Sequence, residues 1–271
     1  MLVNNNATLS GTQNTLASAS TSRTKSLERL ATALRINRAS DDAAGLSVSE
    51  GLRASIRGNQ MAQRNANDGY AMLQIADGGA SQVGDSLQRM RELALQSQNG
   101  TYNATDRQAM QKEYAQLREE ITRTADSTTY NGQKLLTGVG GPFQFQVSDQ
   151  SGEAGTVSAS NTTNLAAGLG LGNIDSPENA ALAMKSIDDA MQTVTSLREN
   201  YGATTNRLES TIANLGQSTV NMVDAESRIR DTDYAAESSR MTRDQILSQT
   251  SMAMTAQANS MSQGVLGLLQ G

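Results

Sequence analysis

Between Ile187 and Ile229 the chain carries a repeat that few folds can accommodate. Steps of three and four residues from Ile187 meet Ala190, Val194, Leu197, Tyr201, Thr204, Leu208, Thr211, Leu215, Ser218, Met222, Ala225 and Ile229. Every one of these is apolar or small, no proline interrupts them, and charge stays on the flanks at Asp188, Asp189, Arg198, Glu199, Arg207 and Glu209. A stripe repeating every 3.5 residues belongs to a helix that buries one narrow face against other helices. At 1.5 Å per residue it predicts a helix roughly 65 Å long, beyond what a compact core covers, so it needs partners along its length.

Composition limits what those partners can be. Only 3% of the 271 residues are aromatic and Trp is absent. Aromatic side chains supply much of the buried area in compact cores, so helices packed on small residues are expected instead. The net charge is −5, with both signs interleaved and no basic patch for nucleic acid. No stretch has the length and apolarity of a membrane span, and Met1-Leu2-Val3-Asn4-Asn5-Asn6 lacks the layout of a secretory signal. The absence of cysteine fits either a cytoplasmic protein or an exported one that avoids thiol chemistry.

Residues 1–8 are polar and expected to be loose until docked. A sparse stripe of Leu9, Leu16, Leu27, Leu30 and Leu34, separated by serines and threonines, predicts a helix that forms only when packed. Ser40-Asp41-Asp42 offers an N-terminal cap for a helix over 43–57, expected to end near Gly58. A second seam runs through Ala62, Ala66, Gly69, Leu73, Ala76, Ala80, Val83, Leu87, Met90 and Ala94, and Asn99-Gly100 ends it. A third passes Met110, Tyr114, Leu117, Ile121 and Thr124. The short link between these two implies an antiparallel helical hairpin, and with 187–229 they make three helices for one bundle.

At Tyr130-Asn131-Gly132 the pattern changes. Phe143, Phe145 and Val147 alternate with Gln144, Gln146 and Ser148, as in a half-buried strand, and Thr156-Val157 follows the turn residues 149–155 as a return strand. Gly168-Leu169-Gly170-Leu171-Gly172 has the wrong spacing for a phosphate cradle and reads as a connection. Ser176 is expected to cap the long helix, with Pro177 at its first position. After Ile229 the seam breaks at Arg230-Asp231-Thr232-Asp233-Tyr234. Two carboxylates without further ligands are weak as a metal site, and local capping explains them better. A last stripe follows at Leu247, Thr250, Met254, Ala258, Met261, Val265 and Leu268. Both chain ends therefore hold marginal amphipathic helices, best buried against each other and against further copies of the chain.

Catalysis finds no foothold. Without His or Cys the chain lacks the commonest general base and the thiol nucleophile. No Gly-x-Ser-x-Gly or phosphate-loop signature occurs, and no cofactor or metal is expected. The fold expected is mainly α: a long helical coiled-coil bundle with a small β-hairpin excursion in the middle.

Particular strings add a resemblance. Leu34-Arg35-Ile36-Asn37, Asp41-Asp42-Ala43-Ala44-Gly45-Leu46, Ile56-Arg57-Gly58, Arg64-Asn65-Ala66-Asn67-Asp68-Gly69 and Leu87-Gln88-Arg89-Met90-Arg91-Glu92-Leu93-Ala94 closely resemble the N-terminal half of bacterial flagellins. Tyr130-Asn131-Gly132 is similar to the family's Phe-Asn-Gly. Ser227-Arg228-Ile229-Arg230-Asp231-Thr232-Asp233-Tyr234-Ala235, Gln245-Ile246-Leu247, Ala256-Gln257-Ala258-Asn259 and Val265-Leu266-Gly267-Leu268-Leu269 resemble its C-terminal half.

The resemblance implies an extracellular filament subunit, exported unfolded through the flagellar type III system. It implies an inner domain of 1–38 with 230–271, whose helices pair as a coiled coil, with Leu27, Leu30, Leu34, Leu247, Met254, Met261, Val265 and Leu268 as its assembly residues. The outer domain would be 39–229, with 131–175 as a hairpin and loop region. Implied partners are further copies of the chain, an export chaperone, and the hook–filament junction and cap proteins. No nucleic acid or membrane partner is implied. Gln88, Arg89, Arg91, Glu92, Leu93 and Glu113 resemble the family's patch for Toll-like receptor 5, residues that also serve subunit contacts. The alternatives are a hook–filament junction protein or another self-associating coiled-coil scaffold. Ala33 stands where the family usually has Gly, Arg38 where it has a small residue, and Gln270-Gly271 where it ends basic.

Overall fold

The computed structural model describes residues 2–138, 141–148, 155–159, 165 and 170–269, the backbone alone for 2–6, 8, 262 and 264–269. The chain divides into two compact units, residues 1–54 with 221–271 and residues 55–220. The long helices α2 (Ala43–Gln98) and α4 (Pro177–Arg230) contribute to both.

The first unit is built on α1 (Leu2–Thr32) and α5 (Tyr234–Leu269), packed together along their length. They are antiparallel: the Ser26 hydroxyl donates to Glu237 Oε1 at 2.7 Å, and farther along Thr255 Oγ1 meets Thr12 Oγ1 at 3.5 Å. The helix begins at Leu2 and so takes in most of the segment expected to be loose until docked. Such a serine- and threonine-rich helix is stabilised by tertiary packing, here against α5. At the other end α1 stops because Ala33 turns into the left-handed region, at φ +58°. The two interhelix connections then hold each other. Leu34 and Asp231 form an antiparallel bridge, Arg35 N–H donates to the Arg230 carbonyl at 2.6 Å, and Thr232 N–H to the Ala33 carbonyl at 3.0 Å.

Short acidic residues restart both helices. Asp42 Oδ1 accepts the Gly45 N–H at 2.9 Å, which caps α2. Asp233 Oδ1 accepts from Ala235 and Ala236 at 2.9 and 3.0 Å, which caps α5, the role expected of this break. Gly45 itself is required by packing. A Cβ there would lie 2.5 Å from Asp42 Oδ2 and 2.8 Å from the Cδ1 of Ile36, which is buried beneath the connection.

In the second unit α2 packs antiparallel on both α3 (Ala104–Ser127) and α4, as the ion pairs Arg89–Glu113, Arg91–Asp188 and Asp77–Arg198 record. The α2 seam from Ala62 to Ala94 and the α3 seam are buried or nearly so, as the spacing predicts. The α4 seam is buried from Ala180 through Leu208 and half-buried from Thr211 onward. Asn103 closes a capping box with Asp106 at the start of α3, and Ser176 Oγ accepts the Asn179 N–H at 3.2 Å at the start of α4.

One expectation fails within α2, which runs without interruption through Gly58. A helical glycine costs about 1 kcal/mol relative to Ala, and the seam residues on either side, Ile56 and Asn59, are buried and carry the helix across. Two hairpins cover α2. β1 (Thr129–Tyr130) and β2 (Gln133–Lys134) are joined by Asn131 and Gly132 at φ +48° and +79°, the geometry of a two-residue hairpin turn. β3 (Phe143–Gln146) pairs antiparallel with β4 (Thr156–Ala159), so the alternating Phe143 and Phe145 do form the strand expected. The loop residues 149–154 and 166–169 lie outside the described residues. Small residues on α2 seat these hairpins: Gly69 faces the Phe145 ring and Gly79 faces Thr128 and Leu136.

Candidate functional site

The first unit divides its apolar residues between the α1–α5 seam and the surface. On α1 the residues turned toward α5 are Leu9, Thr12, Leu16, Ala19, Arg23, Ser26 and Leu30, a run stepping three and four. On α5 they are Glu237, Met241, Asp244, Ser248, Ser251, Thr255 and Ala258. The α1–α5 seam thus mixes three leucines, a methionine and two alanines with hydroxyl and charged side chains. Leu27 and Leu247 remain 50% and 40% exposed, Met254 and Met261 55% and 60%. Leu30 and Leu34 are half-buried, and the side chains of Val265 and Leu268 lie outside the described residues.

Leu247, Met254 and Met261, seven residues apart, fall on one helical face beside the seam rather than in it. Sequence reasoning missed Ala19, Ser26, Glu237, Ser248 and Ser251 because it followed large apolar side chains. The signal was the same three-four stepping, written in serine and alanine.

The buried Glu237 charge inside this seam is matched. The Glu237 side chain, 4% exposed, accepts from Ser26 and sits 3.7 Å from Arg29 Nη1 and 3.2 Å from Arg240 Nη1. A carboxylate taken out of water requires such donors, since an unpaired one costs several kcal/mol, about 3–5 when a partner is removed. In the α1–α2 connection the Arg38 N–H beside Asp41 holds its carboxyl below the usual carboxylate range, helped by the Asn37 N–H and the charges of Lys25 and Arg29.

In the second unit, Gln88, Arg89, Arg91, Glu92 and Glu113 share an exposed surface of α2 and α3. Arg89 grips Glu113 Oε1 with Nε at 3.0 Å and Nη2 at 2.9 Å, and reaches Glu92 Oε2 with Nη1 at 2.9 Å. These carboxylates raise the Arg89 guanidinium above its ordinary value. Leu93 does not join them. It is 2% exposed and belongs to the core beneath the patch.

A groove of about 780 Å³ lies between the hairpins and α2, lined by Met72, Phe143, Phe145 and Lys134. Its lysine is already paired with Asp126 at 2.6 Å. Among the described residues no group of three or more metal-ligating side chains occurs, and no helix is long and apolar enough to cross a membrane.

Terminal helices paired along their length, with Leu27, Leu247, Met254 and Met261 left exposed, describe a helical structural protein with apolar side chains available for association. Comparison with known proteins makes this specific. The chain belongs to the bacterial flagellin family: the N-terminal helical region of bacterial flagellin matches residues 3–140 and the C-terminal helical region matches residues 184–269. It is a subunit of the flagellar filament, a structural protein rather than an enzyme, and it works outside the cell in a self-polymer.

The chain is 45% identical over 248 residues to a flagellin of Halalkalibacterium halodurans, covering 91% of each. A crystal structure of Bacillus cereus flagellin is 31% identical with a TM-score of 0.51, covering 60% of this chain and 94% of that one. A putative flagellar hook-associated protein of Vibrio parahaemolyticus superposes with a TM-score of 0.59 over 70% of this chain and 100% of its own, at 18% identity, a likeness of fold alone.

Proposed function

We propose that the filament is held together chiefly through the paired terminal helices, residues 1–38 and 230–271, acting as an inner assembly domain. Residues 39–229 act as an outer shell, with 131–175 as its hairpin region. The observation that carries this reading is the placement of apolar surface. The α1–α5 seam holds Leu9, Leu16, Leu30 and Met241 among small and polar groups, while Leu27, Ile246, Leu247, Met254 and Met261 are left outward. Leu247, Met254 and Met261 share one face of α5, and an exposed apolar face marks an interaction surface. In this chain the occupant is a further copy.

The second unit adds lateral contacts through Gln88, Arg89, Arg91, Glu92 and Glu113, positioned from below by Leu93. The same exposed charges of a free monomer are the patch for Toll-like receptor 5. An export chaperone, the hook–filament junction and the cap are the further partners, reached after passage through the type III system.

The test is seeded polymerisation of the full chain against Leu247→Ser/Met254→Ser. Both positions are exposed in the monomer, so the variant should fold with unchanged helix content. It should elongate filaments at least ten times more slowly, since losing two such apolar contacts removes about 2–3 kcal/mol. Normal elongation would refute the assignment. For the receptor patch, Glu113→Ala should weaken monomer binding without changing stability, and unaltered binding would remove that part.

A further inference from the structure

Sulfur enters this chain only as thioether: 12 methionines and no cysteine. The methionines whose side chains are described run from buried to exposed, with Met184, Met191, Met222 and Met241 half-buried between the extremes. Met72, Met90 and Met110 are sealed in the core of the second unit. Met252, Met254 and Met261 on α5, together with Met61 on α2, are about half exposed or more. Two of the α5 methionines continue the outward stripe that begins at Leu247, whereas Met252 lies on the opposite flank of the seam.

The seam itself joins Leu9, Leu16, Ser26 and Leu30 of α1 to Glu237, Ser248, Ser251 and Thr255 of α5, with the half-buried Met241 the one thioether among its α5 residues. The exposed thioethers therefore contribute little to pairing α5 with α1. They contribute to the face that a neighbouring copy covers.

We propose that Met254 and Met261 form an oxidation site through which a hydroperoxide blocks filament growth at the level of the free subunit. The proposal rests on the assembly reading above, because the stripe matters only if a copy covers it. In each event the thioether sulfur attacks the peroxide and takes one oxygen, the O–O bond breaks, and the second oxygen leaves as water. Sulfur is oxidised by two electrons and the peroxide is reduced by two.

The product, methionine sulfoxide, is polar and chiral where the stripe was apolar and flexible. The monomer keeps its α1–α5 seam and its fold, and loses the outer face. In the filament the same sulfurs are covered, so the finished polymer resists a dose that disables the subunit.

The experiment treats the full-length monomer and preformed filaments with equal hydrogen peroxide, maps sulfoxides by peptide mass, and then measures seeded elongation. Met254 and Met261 should convert in the monomer well before Met72, Met90 and Met110, and slowly in the filament. The oxidised monomer should keep its helix content, elongate at least ten-fold more slowly, and recover on treatment with methionine sulfoxide reductases.

A Met254→Leu/Met261→Leu chain should elongate like the parent and keep doing so after peroxide, while Met252→Leu should stay sensitive. If the double Leu variant loses elongation at the parent's dose, or the oxidised parent elongates at full rate, the oxidation site is wrong and the assembly face stands. Normal elongation of the unoxidised Leu247→Ser/Met254→Ser chain would instead remove the assembly face, and this proposal with it.

Discussion

At φ +58° the Ala33 backbone holds a β-carbon in the left-handed region, where contact with the following carbonyl costs roughly 1–2 kcal/mol. That position directly follows the last residue of α1, the place where helices commonly end on glycine. The family's usual Gly has its physical reason there, and this chain retains the turn at a cost. Ala33→Gly should therefore raise stability by about 0.5–1 kcal/mol, after allowing for the extra freedom of glycine in the unfolded chain. Urea unfolding followed by circular dichroism would check this, and a loss of stability would contradict the strained turn.

A second residue-scale cost is the Tyr114 hydroxyl, buried without a hydrogen-bond partner among the described residues. Burial pushes both Tyr114 and Tyr201 up to about 12. For a group whose folded value is raised, stability is fully present below the unfolded value near 10 and is lost as pH climbs toward 12. Tyr114→Phe should leave neutral-pH stability equal or up to about 1 kcal/mol higher. It should also flatten the alkaline limb between about pH 10 and 12. An unchanged alkaline limb would argue that Tyr114 does not ionise with unfolding.

Among the elements, α2 shows how neighbouring glycines can have opposite roles. A Cβ on Gly78 meets nothing within 4 Å, whereas one on Gly79 would lie 2.5 Å from Thr128 Oγ1 and 2.9 Å from Leu136 Cδ1. Gly78→Ala should stabilise the chain by about 1 kcal/mol through helix propensity. Gly79→Ala should destabilise it by about 1–2 kcal/mol through overpacking at the first hairpin. Thermal unfolding of the two variants gives the comparison, and equal shifts would mean that the hairpin yields freely.

The same scale shows what was legible in the sequence. The seams of α2, α3 and α4 could be read because Leu, Ile, Val, Met and Tyr recur among the small residues at every turn or two. Ser176 as cap and Phe143–Phe145 as strand could be read from local chemistry alone. The α1–α5 seam could be found by apolarity only in part. Leu9, Leu16 and Leu30 lie in it, as their stripe suggests, but they alternate with serines, threonines, alanines and the charged Arg23, Glu237 and Asp244, which an apolar pattern does not pick out. The unbroken passage through Gly58 was hidden for a related reason: buried neighbours outweigh a local propensity of about 1 kcal/mol.

For the whole molecule, the pattern describes a subunit whose folding and whose assembly draw on different side chains. Unit 55–220 buries most of its large apolar residues in its own core, leaving Met61, Ile75, Leu95, Leu182 and Val220 exposed, with the Arg89–Glu113, Arg91–Asp188 and Arg198–Asp77 pairs on its surface. Unit 1–54 with 221–271 pairs its helices through a mixed seam and leaves Leu27, Ile246, Leu247, Met252, Met254 and Met261 exposed. On the assembly reading proposed above, the exposed side chains of the first unit gain hydrophobic stabilisation when a further copy covers them.

The absence of cysteine allows a direct probe of this claim. A full chain carrying Leu247→Cys presents a single thiol on the outward stripe, and its rate of reaction with a water-soluble maleimide can be compared in the monomer and in seeded filaments. The account predicts a thiol that reacts freely in the monomer and is protected at least ten-fold in the filament. A thiol that reacts equally fast in both would mean that no neighbouring copy covers this face, and that the filament is held together by other surfaces.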